Sequence, residues 1–448
     1  MISLLLAAVP GCAGRKAEPA ILTLWHNYGG QLKETMDELI DEFNETVGTG
    51  EGIIISVTTI SGSASIHEKL VMAANDEPGA SPLPDITTAY PKTALLLAEK
   101  ELLVDLDQLF TAEELSRYVP QFVEEGRLEG GSLYIFPTAK STEVLFLNRT
   151  IFDRFARETG ATIADLETFE GIARVAVLYY DWTDRQTPAV SNDGKAFFMS
   201  DSLFNYALVG CRQLGADFID GDSIAFSSPQ YARVWESYFK PAVLGRAAIY
   251  NGYATDLFKT GEIVCSTGST AGVMFFSSTV THPDNTTEPA ELAILPYPFF
   301  EGGAKIAMQR GAGMCVTRST RERERMAAVF LKWFTSPENN LRFVSSTGYL
   351  PVTGDAFGEI MSREIETIPH EKIKELLSTC RIMQKEYAFL IPPLFQGIDE
   401  LQERYEAGFK EIASFSRESC RELALNSTLE RAYEAVAESA LTDFSNQF

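Results

Sequence analysis

The chain has 448 residues, of which 45% are hydrophobic and 22% charged. That is a globular composition with enough apolar material for more than one core. The formal net charge of −24 repels phosphate backbones and excludes nucleic acid as a partner. Beyond the N-terminus no tract stays apolar for the ~20 residues that a membrane span needs.

The first residues, MISLLLAAVPG, are uncharged and mostly apolar, and Cys12 follows at once, ahead of Ala13, Gly14, Arg15 and Lys16. This resembles a lipoprotein signal, in which Cys12 becomes the lipidated first residue of the mature chain. No basic residue precedes the apolar run, and Pro10 stands where a small residue is usual. The expected division is a signal peptide over 1–11 and a tether over 12–19. The remaining cysteines, Cys211, Cys265, Cys315, Cys380 and Cys420, are odd in number, widely spaced and free of any C-x-x-C pairing. They read as small buried hydrophobes, not as a disulfide framework or a zinc site.

The mature sequence opens with a strand, Ile21 to Trp25, and a loop, His26 to Gly30. Leu32, Met36, Leu39, Ile40 and Phe43 then fall on one face of a helix that Gly48 and Gly50 are expected to end. Ile53 to Ile60 reads as a buried strand, 65–75 as a helix and Asp85 to Ala89 as a short strand. This β-α-β-α-β rhythm predicts a mostly parallel sheet covered by helices, with ligands beyond the carboxyl ends of its strands. Trp25, Asn27, Tyr28, Ser63 and Tyr90 lie at such ends. Further helices are predicted over 165–181, 200–214, 228–240, 269–279 and 320–346. Strands are predicted at Ile263 to Thr267 and Glu291 to Pro296, and one or two amphipathic helices over 397–448. No long Pro/Gly linker separates two halves, so the lobes are expected to interweave.

Five stretches together resemble a known family: Leu-Trp-His-Asn-Tyr-Gly-Gly at 24–30, Leu-Pro-Asp-Ile at 83–86, the run from Tyr134 to Asn148, Phe-Leu-Lys-Trp-Phe-Thr-Ser-Pro-Glu-Asn at 330–339, and Thr-Gly-Tyr-Leu-Pro-Val at 347–352. In this order they are similar to the family 1 extracellular solute-binding proteins of ABC importers. That carbohydrate-type group includes maltose-binding and glycerol-3-phosphate-binding proteins. The resemblance implies an α/β, two-lobed periplasmic-binding-protein fold of the type II kind with a three-crossing hinge. The crossings fall near Thr142–Leu147, Arg310–Gly313 and Gly348–Pro351. The implied lobes are 20–142 plus 311–348 and 143–310 plus 349–448. It also implies a place on the outer, periplasmic side of a bacterial membrane, a small polar solute (sugar, polyol or glycerophosphate derivative) in the cleft, and delivery to the transmembrane subunits of an ABC permease.

The candidate solute contacts follow from side-chain chemistry and these positions. Trp25, Tyr28 and Tyr349 offer flat faces for the C–H surfaces of sugars. Asn27, Ser63, Tyr90, Ser141, Thr142, Ser269 and Thr270 offer hydrogen bonds. Gly268 to Gly272 would open a helix with free backbone N–H groups, although a Gly-Ser-Thr run also serves as a plain cap. Gly311 permits close backbone approach. Arg310 would neutralise an anionic solute, or else form an ion pair between the lobes. Glycerol-3-phosphate binders hold phosphate with an Arg in the C-terminal part, and the matching stretch Ile391 to Gly397 has none.

No cofactor or metal is expected. His26, His67, His282 and His370 show no metal-ligand spacing, and there is no Walker loop. The competing class is a secreted glycan hydrolase, which needs two carboxylates across a cleft. The candidate cleft segments supply only Glu143.

Overall fold

The computed structural model describes residues 18–448 except Glu129. Cys12, the signal peptide and most of the tether lie outside the described residues. The first sheet contains β1 (Ala20–His26), β2 (Ile53–Thr59), β3 (Ile86–Ala89) and β13 (Gly313–Val316), in the order β13-β3-β1-β2. β1 runs parallel to β2 from Ala20↔Ile53 and to β3 from Leu24↔Ile86, while β13 is antiparallel to β3. β2 is an edge strand, so it alternates buried and exposed residues instead of being buried throughout. The apolar face predicted after β1 is real: Met36, Leu39, Ile40 and Phe43 are buried on the helix Gln31–Phe43. That helix does not stop at Gly48. It continues through a wide turn at Asn44–Gly48 and a last turn at Thr49–Glu51, and ends at Gly52 with φ 71°. Gly48 serves close packing instead, because a Cβ there would lie 2.6 Å from the Ile53 carbonyl oxygen.

The second sheet is built around β4 (Ser141–Asn148), all of whose residues are buried. β5 (Phe198–Ser200), β8 (Cys265–Ser269), β11 (Leu292–Leu295), β12 (Ile306–Arg310) and β14 (Ala388–Leu390) complete it. Two small hairpins, β6 (Ile219–Asp220) with β7 (Ser223–Ile224) and β9 (Thr279–Thr281) with β10 (Thr287–Pro289), stand apart. The mostly parallel sheet expected from the N-terminal rhythm is the first sheet, and the second is mixed. β8, β11 and β12 all run antiparallel to β4, with β11 and β12 sharing one of its edges. β11 lies beside Leu145–Asn148 and β12 beside Ser141–Thr142, so the two run in the same direction in line along that edge.

Strand pairing changes sheet abruptly at two points. Lys140 bridges Leu350, and the next residue, Ser141, pairs with Arg310 in the second sheet. Arg310 and Gly313 belong to different sheets, with only Gly311 and Ala312 between them. Gly311 has φ 99°, and a Cβ would lie 3.1 Å from Ser141 N, so only glycine fits this close passage. After Gly348 (φ 76°) the chain runs past Lys140 and Tyr118, the latter bridging Thr353. It meets the second sheet again where the helix Glu371–Glu386 packs on β11.

Two predicted helices differ in form. The stretch 320–346 is two helices, Arg321–Phe334 and Pro337–Val344, because Pro337 lacks an N–H to continue the first and instead starts the second. The stretch 269–279 forms only a 3₁₀ turn, Thr270–Phe275. The tail makes two long helices, Ile398–Ala424 and Leu429–Ser445, separated where Thr428 accepts the Arg431 N–H. They dock through Phe409 and Phe444, whose rings lie 4.7 and 4.8 Å from Trp235. The five cysteines from Cys211 onward are buried free thiols, as their spacing indicated.

Candidate functional site

The principal cavity, about 520 Å³, opens where β8 ends. β8 delivers Gly268 and Ser269 to its wall. Ser269 then accepts the Ala271 N–H at 3.3 Å and so caps the 3₁₀ turn that carries Ala271, Gly272 and Phe275 into the lining. Leu32, from the first-sheet side, and Tyr349, from the segment after Gly348, close the opposite wall. Phe275 and Tyr253 line the cavity while remaining 77% and 75% exposed. Large aromatic side chains left this open at a concave site are surfaces awaiting a partner. Asp201, directly after β5, supplies the cavity's carboxylate.

Of the residues singled out in the sequence, Gly268, Ser269 and Tyr349 line this cavity. Tyr28 stands behind Tyr349, with ring centroids 6.3 Å apart, and packs edge-on against Phe343 at 5.1 Å. Trp25 is 8% exposed and packs with Ile60, Ile66 and Leu70. Asn27 accepts the Thr88 hydroxyl at 3.1 Å. Ser63 begins the helix Ser63–Ala74, and Tyr90 precedes the helix Pro91–Glu99. Ser141 is buried in β4. Thr142 is also buried, its hydroxyl donating to Met308 O at 2.8 Å and its N–H to the buried Thr270 hydroxyl at 3.4 Å. The Gly311 carbonyl accepts from Lys140 Nζ at 2.7 Å.

The sequence reading did not single out Asp201, Tyr253, Phe275 or Leu32. Asp201 follows a strand end, the very signal that brought forward Trp25 and Tyr90. The sequence reading has no strand at 198–200, and its predicted helix 200–214 takes in Asp201. Phe275 was hidden in the same way inside the predicted helix 269–279.

The charges sort into a buried set and a cavity set. Arg310 Nη1 donates to Glu143 Oε1 at 3.1 Å, and Asn205 Nδ2 donates to the same oxygen at 2.8 Å. Arg310 and Glu143 both stand in the second sheet, so this pair lies within one lobe and is not the pair between the lobes offered by the sequence reading. Burial pushes the Glu143 carboxyl above the usual carboxylate range, and Arg310 and Asn205 only partly offset it. Beneath the crossing at Gly311, Lys140 and Glu125 form a buried pair at 2.6 Å, and Gln309 also donates to Glu125. Asp201 is likewise lifted by its enclosure in the cleft, against the pull of Arg310 and Lys410. His26 is fully buried, accepts the Tyr28 N–H at 3.2 Å, and is pushed down to about 4 by burial, so its ring is neutral. At the surface, Lys92 and Asp399 join the two halves at 2.5 Å. Among the described residues, no cluster of His, Cys, Asp and Glu is arranged to hold a metal ion.

A family model described as bacterial extracellular solute-binding protein matches residues 38–366. No curated protein matches the chain in sequence. The fold is similar to that of cyclic alpha-maltosyl-1,6-maltose binding protein from Arthrobacter globiformis, at 18% identity and a TM-score of 0.69, over 96% of this chain and 100% of that one. It is also similar to UgpB from Mycobacterium tuberculosis in complex with glycerophosphocholine, at 16% identity and 0.67, over 96% and 99%. Maltose-bound T. maritima MalE3 matches at 14% identity and 0.63, over 96% and 100%. At these identities the likeness establishes the two-lobed fold.

Proposed function

The chain belongs to the bacterial extracellular solute-binding proteins, and from that membership we propose that it is the receptor lipoprotein of an ABC importer. It captures a hydroxyl-rich solute of the sugar or polyol class between its lobes and hands it to the permease. The observation that carries this reading is the cavity itself. Both halves of the chain line it, it is walled by the open rings of Tyr253 and Phe275, and its rim holds the Ser269 hydroxyl. Apolar rings beside a few polar groups suit molecules with C–H faces and hydroxyl edges. The named ligands of the similar structures, maltose-type sugars and glycerophosphocholine, are of this kind.

The lobes divide at the crossings around Lys140–Ser141 and Gly311–Ala312 and after Gly348, where glycine φ values allow rotation. Arg310 is engaged by Glu143, which argues against a glycerophosphate ligand that would need it free. Hydrolysis is disfavoured too. Asp201 is the one carboxylate in the described cavity lining, and Glu143 is tied to Arg310 and Asn205. The family places the protein outside the cytoplasm, and no described helix is long and apolar enough to cross a membrane. Cys12 supplies the lipid anchor in this reading. Cys12→Ala is expected to release the protein from membranes, and identical fractionation of both forms would remove the anchor from the proposal.

The deciding experiment is small-angle scattering with melting curves across a panel of oligosaccharides and polyols. A true ligand compacts the particle and, at a hundredfold excess over Kd, stabilises it by about 2.7 kcal/mol. Tight binding without compaction overturns lobe closure, and shortened oligosaccharide products would make the protein a hydrolase.

A further inference from the structure

Asp201 is the charged group of the described cavity lining, and among the described residues no cation forms an ion pair with it. Its backbone N–H donates to Thr267 O at 3.2 Å, which fixes the residue beside β8. A Cβ placed on Gly268 would meet the Asp201 Cβ at an ordinary contact distance of 3.8 Å, which places Gly268 directly beside Asp201. Among the described residues no side chain donates a hydrogen bond to that carboxylate. Of the two nearby cations, Arg310 donates to Glu143 at 3.1 Å and Lys410 lies 3.9 Å from Glu406, and both act on the Asp201 charge through space. Around the same space stand the aromatic rings of Tyr253, Phe275, Phe276 and Tyr349.

Asp201 is solvent-exposed at the cavity, so its charge is open to an incoming cation, and the faces of the neighbouring rings attract the same cation. A neutral hydroxyl can donate to the carboxylate but leaves its charge uncompensated. An anion meets repulsion. We propose that the solute carries a protonated nitrogen on its hydroxylated frame, as an amino sugar does, and that Asp201 with the Tyr253 and Phe275 rings recognises it.

This rests on the receptor reading and narrows its solute class. Binding then follows the ionisation of Asp201. The groups that face it are Arg310 and Glu143 from the β12 and β4 side, Lys410 and Glu406 from the helix Ile398–Ala424, and Tyr253 and Tyr349 across the cavity. Enclosure holds the carboxyl above the ordinary Asp range. Affinity for a cationic solute should therefore fall as pH drops through the mildly acidic range, while the amine stays protonated.

The test is calorimetry on the full chain with four probes: a glucosamine disaccharide, its N-acetylated form, maltose and glycerophosphate. The expected result is preferential binding of the free amine. Asp201→Asn should weaken that binding roughly 10- to 100-fold, the loss of one charge-assisted contact. The weakening of the wild type at acid pH gives the same answer without a variant. Equal affinity for the amine and its N-acetylated form, unchanged by Asp201→Asn, overturns the cationic solute and leaves the receptor reading intact. Preferred binding of glycerophosphate overturns it as well. No binding of any probe also overturns it, and the receptor reading is then decided by the compaction experiment alone.

Discussion

On the first-sheet side of the cleft, Trp25 and Tyr28 are 8% and 5% exposed and belong to packed clusters. On the second-sheet side, Tyr253 and Phe275 are 75% and 77% exposed at the cavity. The same residue type therefore does two jobs. In the first lobe aromatic rings fix the strand ends and the segment around Tyr349. In the second they present surface. Aromatic residues near strand ends thus take either packed or exposed positions, and only their assembled surroundings decide which.

Four substitutions test this contrast. Trp25→Ala empties a packed cluster, so it is expected to cost about 3–5 kcal/mol of stability. A folded variant with an unchanged melting temperature and weakened ligand binding would return Trp25 to the site. Arg310→Met leaves Glu143 buried without its cation, at roughly 2–3 kcal/mol, less than for a fully buried pair because Arg310 is partly exposed. Glu143 already has a raised carboxyl pKa in the folded state, so the native state holds its proton more tightly than the unfolded chain does. Stability then falls as pH rises from the ordinary carboxylate pKa through the raised one. Denaturant titrations across that window should show a steeper fall in Arg310→Met, and Arg310→Met/Glu143→Gln should flatten it.

Phe275→Ala should leave the melting temperature nearly unchanged and weaken solute binding by roughly 1–2 kcal/mol, read by calorimetry. A large loss of stability instead would make Phe275 part of the core. The smallest effect belongs to the exposed pair Lys92–Asp399, which joins the two halves at the surface. Lys92→Ala should change stability by under ~1 kcal/mol. It should also expand the unliganded particle slightly in scattering, as raised salt should in the wild type.

The periodic elements were legible where burial is one-sided. Met36, Leu39, Ile40 and Phe43 share a face because a helix repeats every 3.6 residues, whatever it packs on. The strand ends of the first sheet were legible for the same local reason. Less legible was the second sheet, since nothing in Ser141 to Asn148 says which strands will flank it or in which direction. The cavity lining was legible in part: Gly268, Ser269 and Tyr349 were marked by position, whereas Asp201 and Phe275 fall inside the predicted helices 200–214 and 269–279.

By itself, then, the sequence determined the α/β alternation of the first lobe, the apolar helix faces, the buried free cysteines and the family's run of motifs. All of these depend on neighbours along the chain. The tertiary structure alone decided that β4 is flanked antiparallel on both sides, that Arg310 pairs with Glu143, that Trp25 is packed away and that Asp201 lines the cavity. Each of these is a relation between residues far apart in sequence. Exposure and charge compensation are properties of the assembled surroundings, and no local pattern carries them.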